Sequence, residues 1–152
     1  MEITVSSRQF KNSSKAFTLF CSIRKEYVKE TPEERVRQNT LSSLFLLGYP
    51  SSLIAVERKV ADVAITTTIK VPIPNRRIDI LCYRGSSLEP LLLIECKANS
   101  FNNKELRQLL GYNFYIQARY IALVNPQKVH FLDVLTGIEH DHFPNYATVT
   151  PL

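Results

Sequence analysis

Two acids and a lysine stand inside the most apolar stretch of this chain. Arg76-Arg77-Ile78-Asp79-Ile80-Leu81-Cys82-Tyr83 reads as a strand, and Leu91-Leu92-Leu93-Ile94-Glu95-Cys96-Lys97 reads as its partner. Ionised groups in such surroundings are costly unless something compensates them. A hairpin centred on Ser87, in the Gly85-Ser86-Ser87-Leu88 turn, puts Asp79 and Glu95 directly across from each other. Side chains alternate along a strand, so Lys97 falls on the face of Glu95, one step beyond it. Facing carboxylates repel, and the pairing calls for a cation between them.

Magnesium is a hard cation that takes oxygen ligands, commonly one or two carboxylates with retained waters. Asp79 and Glu95 would each supply an oxygen, and the backbone carbonyl of Cys96 a third. Manganese would serve as a substitute. Such a cation lowers the pKa of its water and stabilises charge growing on a phosphoryl oxygen. Lys97 would either orient and deprotonate that water or stabilise the negative transition state. Arg77 falls on the same face, placed for the surroundings of Lys97 or for a phosphate. The competing reading is a salt-bridged polar end on an apolar hairpin. Glu57-Arg58-Lys59 repeats the Glu-x-Lys spacing, but no apolar strand precedes it and no matched acid accompanies it.

These residues need a scaffold. A length of 152 residues suits one domain with a single core. Hydrophobic content of 45% and charged content of 22% argue against wholesale disorder. A net charge of +5 favours polyanionic partners. Lys25, Lys29, Lys104, Arg107, Arg76 and Arg77 could line a phosphate backbone, although each alone reads more readily as solvated surface. Cys21, Cys82 and Cys96 lack a disulfide framework. No signal segment opens the chain and no run approaches the ~20 residues of a membrane helix. The expected address is a reducing cytoplasm with no membrane partner.

Residues 1–23 read as an irregular lead-in, about 24–133 as the core and 137–152 as a patternless tail. A helix is expected from Thr31, which caps it, with Pro32 first and Glu33 and Glu34 in the opening turn. Thr31 and Glu34 also match a capping box. Val36, Thr40, Ser43, Leu44 and Leu47 form its stripe, and Gly48-Tyr49-Pro50 ends it. Strands are expected over Leu53–Lys59, Ala61–Val71, Tyr120–Val124 and Val129–Leu135, with a second helix over 104–117 that Gly111 weakens. This order indicates an α/β fold with a mixed β-sheet flanked by helices.

Arg77-Ile78-Asp79, Leu93-Ile94-Glu95-Cys96-Lys97 and Gln108-Leu109-Leu110-Gly111-Tyr112-Asn113 together resemble the PD-(D/E)xK nuclease superfamily. Their order is similar to that in the N-terminal nuclease domain of type I restriction enzyme R subunits. Lys25-Glu26-Tyr27-Val28, Thr31 to Gln38, Val56-Glu57-Arg58 and Ala118 to Asn125 share the likeness, which runs from about Arg24 to about Asp133. The resemblance implies a restriction-endonuclease-like core that cleaves DNA with magnesium. It makes Asp79 and Glu95 metal ligands and Lys97 the catalytic lysine. Gln108 and Tyr112 match a Gln-x-x-x-Tyr element and share a helix face that could reach the site or the DNA. The alternative is a pair packing the helix on the sheet. Glu34 matches an acid that completes some metal sites of the superfamily, or is a first-turn glutamate favoured by the helix dipole. Ile78 stands where the usual motif has proline. No motor-type phosphate loop is present, so a separate motor or restriction-system subunit is an expected partner. Cutting both strands from one site calls for two copies, which makes a homodimer another. The rival from a different class is a nucleic-acid-binding or protein-interaction module without turnover.

Other motifs carry less. His130 and His140-Asp141-His142 lack a Cys or acid at zinc spacing. Four glycines leave little room for a phosphate loop, and Ser86 and Ser87 have no patterned histidine base.

Overall fold

The computed structural model describes residues 17–65, 72–85 and 87–151. A six-stranded mixed sheet has the order β3 (Ile54–Lys59), β4 (Arg77–Arg84), β5 (Glu89–Cys96), β6 (Tyr120–Val124), β7 (Val129–Asp133) and β8 (Glu139–His140). Only β5 and β6 run parallel among these neighbours. Parallel neighbours need a crossover, and α3 (Asn103–Ile116) supplies it.

Side-chain alternation divides the core into two layers. Ile80, Cys82, Ile94, Cys96, Ala122 and Val124 meet α1 (Pro32–Leu46) through Val36, Leu41 and Leu44. Leu81, Leu93, Ile121 and Leu123 meet α3 through Leu109 and Ile116. Central strands buried on both faces explain the unbroken apolar runs of β4 and β5. The three cysteines are buried and free.

Both long helices begin where their capping residues place them. The Thr31 hydroxyl accepts from Glu34 N–H at 3.0 Å, and Pro32 needs no donor at the first position. Only half of the expected capping box forms, because the Glu34 side chain turns to arginines instead. α3 carries the complete box: Asn102 accepts from Lys104 N–H, and Glu105 accepts from Asn102 N–H, each at 2.8 Å. Gly111 does not interrupt it. Gly48, at φ +86°, ends α1 in a conformation that favours glycine.

Three expectations are corrected. The lead-in contains β1 (Thr18–Cys21), which pairs with β2 (Glu26–Lys29) and buries Leu19 and Cys21. Alternation over so few residues gives too weak a pattern to read. The start of the proposed 61–71 strand is instead a single helical turn, α2 (Val60–Val63); residues 66–71 lie outside the described residues. The tail is structured: Tyr146 opens α4 (Tyr146–Val149), its N–H donates to Leu47 O at 2.9 Å, and Phe143 and Val149 are buried. Its contacts are with α1 and the hairpin, so local periodicity carries no trace of them.

Candidate active site

The β4–β5 ladder pairs Ile80 with Ile94, a register that, carried one step further, would set Asp79 opposite Glu95. The pairs beside the turn, Tyr83 with Pro90 and Arg84 with Glu89, are offset by one residue from a hairpin centred on Ser87. A register shift between Cys82 and Tyr83, with an extra residue on β5, restores that register toward the strand ends. The pairing stops one step short of the acids. There Asp79 Oδ2, rather than a main-chain oxygen, accepts the Cys96 N–H at 2.6 Å. Lys97 Nζ donates to Glu95 Oε1 at 3.1 Å. The three sequence candidates are thus adjacent at the end of two buried strands.

Burial first, then the charge of Asp79, pushes the Glu95 carboxyl up to about 7 against the pull of Lys97. The Lys97 ammonium also shifts upward. Burial opposes its charge, but Glu95 chiefly, with Glu33 and Asp79, raises its pKa above the ordinary value. Glu95 is short of positive charge, whereas Lys97 is held as a cation.

A second layer of charge comes from α1. Arg37, 6% exposed, reaches Glu34, Glu57 and Asp79 together. Burial disfavours its guanidinium, yet Asp79, Glu34 and Glu57 outweigh that and raise its pKa. Arg24, in the turn between β1 and β2, holds Glu34 from the other side, and Gln38 Nε2 donates to Glu34 Oε1 at 2.8 Å. The first hairpin is tied by this route to Asp79.

Glu57 overturns an expectation. It lies across β3–β4 from Asp79, between the Val56–Ile80 and Arg58–Ile78 pairs, and shares Arg37 with it. Its φ of +56° is uncommon for a non-glycine residue. Ile78 packs with Leu81 while Ile80 packs on the opposite layer, so β4 loses its alternation at Asp79. Sequence spacing cannot show a strand irregularity, which is why Glu57 reads there as a decoy. Arg37 and Gln38 are missed for a different reason: buried polar residues do not belong to an apolar stripe.

The remaining candidates fall further out. Both Glu34 oxygens are engaged by arginines and Gln38. Among the described residues no three His, Cys, Asp or Glu side chains are grouped to hold a metal, and Glu34 is not gathered with Asp79 and Glu95. Gln108 Nε2 donates to Tyr112 Oη at 3.0 Å on the outer side of α3, and Tyr112 packs partly against the α3 core layer. No bond from either to the acids is found among the described residues. α3 approaches the site instead at Glu105, whose carboxylate feels Lys97. Arg77 Nη1 donates to Glu57 O at 2.7 Å rather than turning toward Lys97. Arg76, Lys104 and Arg107 are exposed. His130 lies 3.5 Å from Glu139, and His142 2.9 Å from Asp141, without forming a metal group. No helix among the described residues is long and apolar enough to cross a membrane.

Comparison with known proteins agrees with this fold. No curated protein matches the sequence. The fold is similar to a fragment structure described as an HsdR subunit of a type I restriction enzyme from Vibrio vulnificus YJ016, with a TM-score of 0.57. The two are 18% identical, and the match covers 76% of this chain and 24% of that one. Residues 32–145 match the model of the type I restriction enzyme R protein N terminus. That span takes in α1, both acids, Lys97 and α3, and the chain belongs to the type I restriction enzyme R protein N-terminus family.

Proposed function

We propose that this protein is a magnesium-dependent endonuclease that hydrolyses DNA phosphodiester bonds. The observation that carries the reading is the Asp79–Glu95–Lys97 cluster, in which burial and a facing acid leave Glu95 short of positive charge. Two hard carboxylate donors with the Cys96 carbonyl suit Mg2+, which keeps several waters, and Mn2+ as its substitute. When bound, the cation would supply an acidified water and screen charge on the phosphoryl group. Water adds to phosphorus, the P–O ester bond breaks, and the leaving oxygen takes up a proton. Lys97, held protonated by Glu95, suits stabilisation of the negative phosphoryl oxygens better than proton abstraction. Arg76, Arg77, Lys104 and Arg107 would neutralise backbone phosphates, and Gln108 with Tyr112 would touch the strand along α3.

Its setting would be a restriction system, with a separate motor subunit or a second copy as partner. Three free cysteines suit a reducing cytoplasm. The test is nicking of supercoiled plasmid by the purified chain. Cutting with Mg2+ or Mn2+ and none in EDTA is expected; cutting indifferent to EDTA would overturn the proposal.

One observation favours a second reading, a DNA-binding or interaction module without turnover. Both Asp79 oxygens already accept hydrogen bonds, from Arg37 and from Cys96 N–H. That reading expects salt-sensitive DNA binding with no cutting under any metal.

A further inference from the structure

Around the candidate site four acids, Glu34, Glu57, Asp79 and Glu95, face three cations, Arg24, Arg37 and Lys97. Arg37 has the central place. Its Nη1 holds Glu34, while its Nη2 is divided between Glu57 and Asp79 Oδ1. The other Asp79 oxygen belongs to the Cys96 N–H, so Arg37 occupies the side of Asp79 left open by the β-strand. Arg37 Nε is buried without a hydrogen-bond partner. A guanidinium built only as a clamp would use that donor, and an orphaned buried N–H calls for an explanation. Glu57 is the most exposed of the three carboxylates, with 31% of its side chain accessible, so it can follow a moving guanidinium.

We propose that Arg37 is a resident counter-ion for the metal site. It neutralises and pins Asp79 while no divalent cation is bound, and withdraws onto Glu57 and Glu34 when Asp79 takes one. Arg37 is thereby a positioning residue that sets how tightly the site takes a cation. The inference rests on the metal-dependent reading above, but it concerns cation binding rather than cutting. Two cations cannot share one Asp79 oxygen without mutual repulsion, and removing the fixed one should strengthen binding of the mobile one. A purely structural arginine would do the reverse, since its loss would let Asp79 drift from Glu95.

The experiment is Mn2+ binding to the whole chain without DNA, followed by calorimetry. Arg37→Met is expected to bind Mn2+ about tenfold more tightly than wild type, the size of a typical site-to-site coupling. It should also melt lower in EDTA and regain more of its melting temperature from Mn2+ than wild type does. Unchanged or weaker Mn2+ binding by a folded Arg37→Met would overturn the proposal. If that variant does not fold, the wild-type guanidinium 15N spectrum decides during a Mg2+ titration. The Arg37 signals should move in step with saturation, and signals that stay fixed would overturn the idea. A protein that shows the Arg37 effect yet never nicks DNA keeps the counter-ion and loses the nuclease. One that cuts with Mn2+ affinity indifferent to Arg37 does the opposite, and a wild type that takes up no Mn2+ ends both.

Discussion

Asp79 Oδ2 accepts the Cys96 N–H at 2.6 Å, so an acid on β4 is latched to the backbone between Glu95 and Lys97. The latch ties the Asp79 carboxylate to the main chain between the other two residues, while Lys97 meets Glu95 side chain to side chain. Asp79→Asn can keep that hydrogen bond while losing the charge. It is expected to lower plasmid nicking about 100-fold or more, the scale of losing a group that acts on transition-state charge. Lys97→Ala should fall comparably while melting close to wild type, because Lys97 is partly exposed. Nicking rates and thermal melts of both variants check this.

The Glu95 carboxyl gives a pH signature without any metal. Its folded value, about 7, lies above the ordinary 4.5 because of burial and Asp79, with Lys97 opposing and Glu33 adding slightly. Between those values the folded chain keeps a proton that the unfolded chain releases, so stability falls as pH rises through the window. Glu95→Gln removes the titration. In EDTA it should melt above wild type at pH 8, with the gap closing toward pH 4.5; melts across that range decide, and a pH-independent gap would contradict the assignment.

Much of this site is legible from local sequence. The apolar runs mark two buried strands and Thr31-Pro32 marks the start of α1, whereas the register at the acids depends on a shift between Cys82 and Tyr83 that the turn does not reveal. Glu57 is not legible, because its role depends on a positive φ and on a neighbour 22 positions later on another strand. Arg37 is hidden similarly: a polar residue on a helix reads as solvent-facing until the acids that pull it inward are located. The strand Thr18–Cys21 and the packed tail escape because short elements take their stability from tertiary contacts, not propensity.

Arg119 and Asp133 form a bidentate pair at 2.9 and 2.8 Å, and Asp133 Oδ1 also accepts from Leu135 N–H at 2.9 Å. Arg119 chiefly, helped by the Thr136 and Leu135 N–H groups, holds the Asp133 carboxyl well below the ordinary carboxylate range. A depressed folded pKa contributes stability above the unfolded value that disappears as pH falls through the folded one. Asp133→Asn should therefore melt below wild type at pH 7, with the difference shrinking below about pH 4. Thermal melts at both ends of that range check it.

Asn113 joins α3 to the start of β6. Its side chain is buried, accepts Ala118 N–H at 2.8 Å and donates to Ala118 O at 3.0 Å. Asn113→Ala leaves both main-chain groups without that partner and should cost about 2–3 kcal/mol. Urea unfolding measures it, and a loss within error of zero would mean that water replaces the amide.

The central claim is that Asp79 and Glu95 grip one divalent cation beside Lys97, and a crystal soaked in manganese tests it most directly. Anomalous density between the two carboxylates, with Arg37 drawn back toward Glu57, is the expected result. A soaked crystal with Arg37 still on Asp79 and no density between the acids would contradict it.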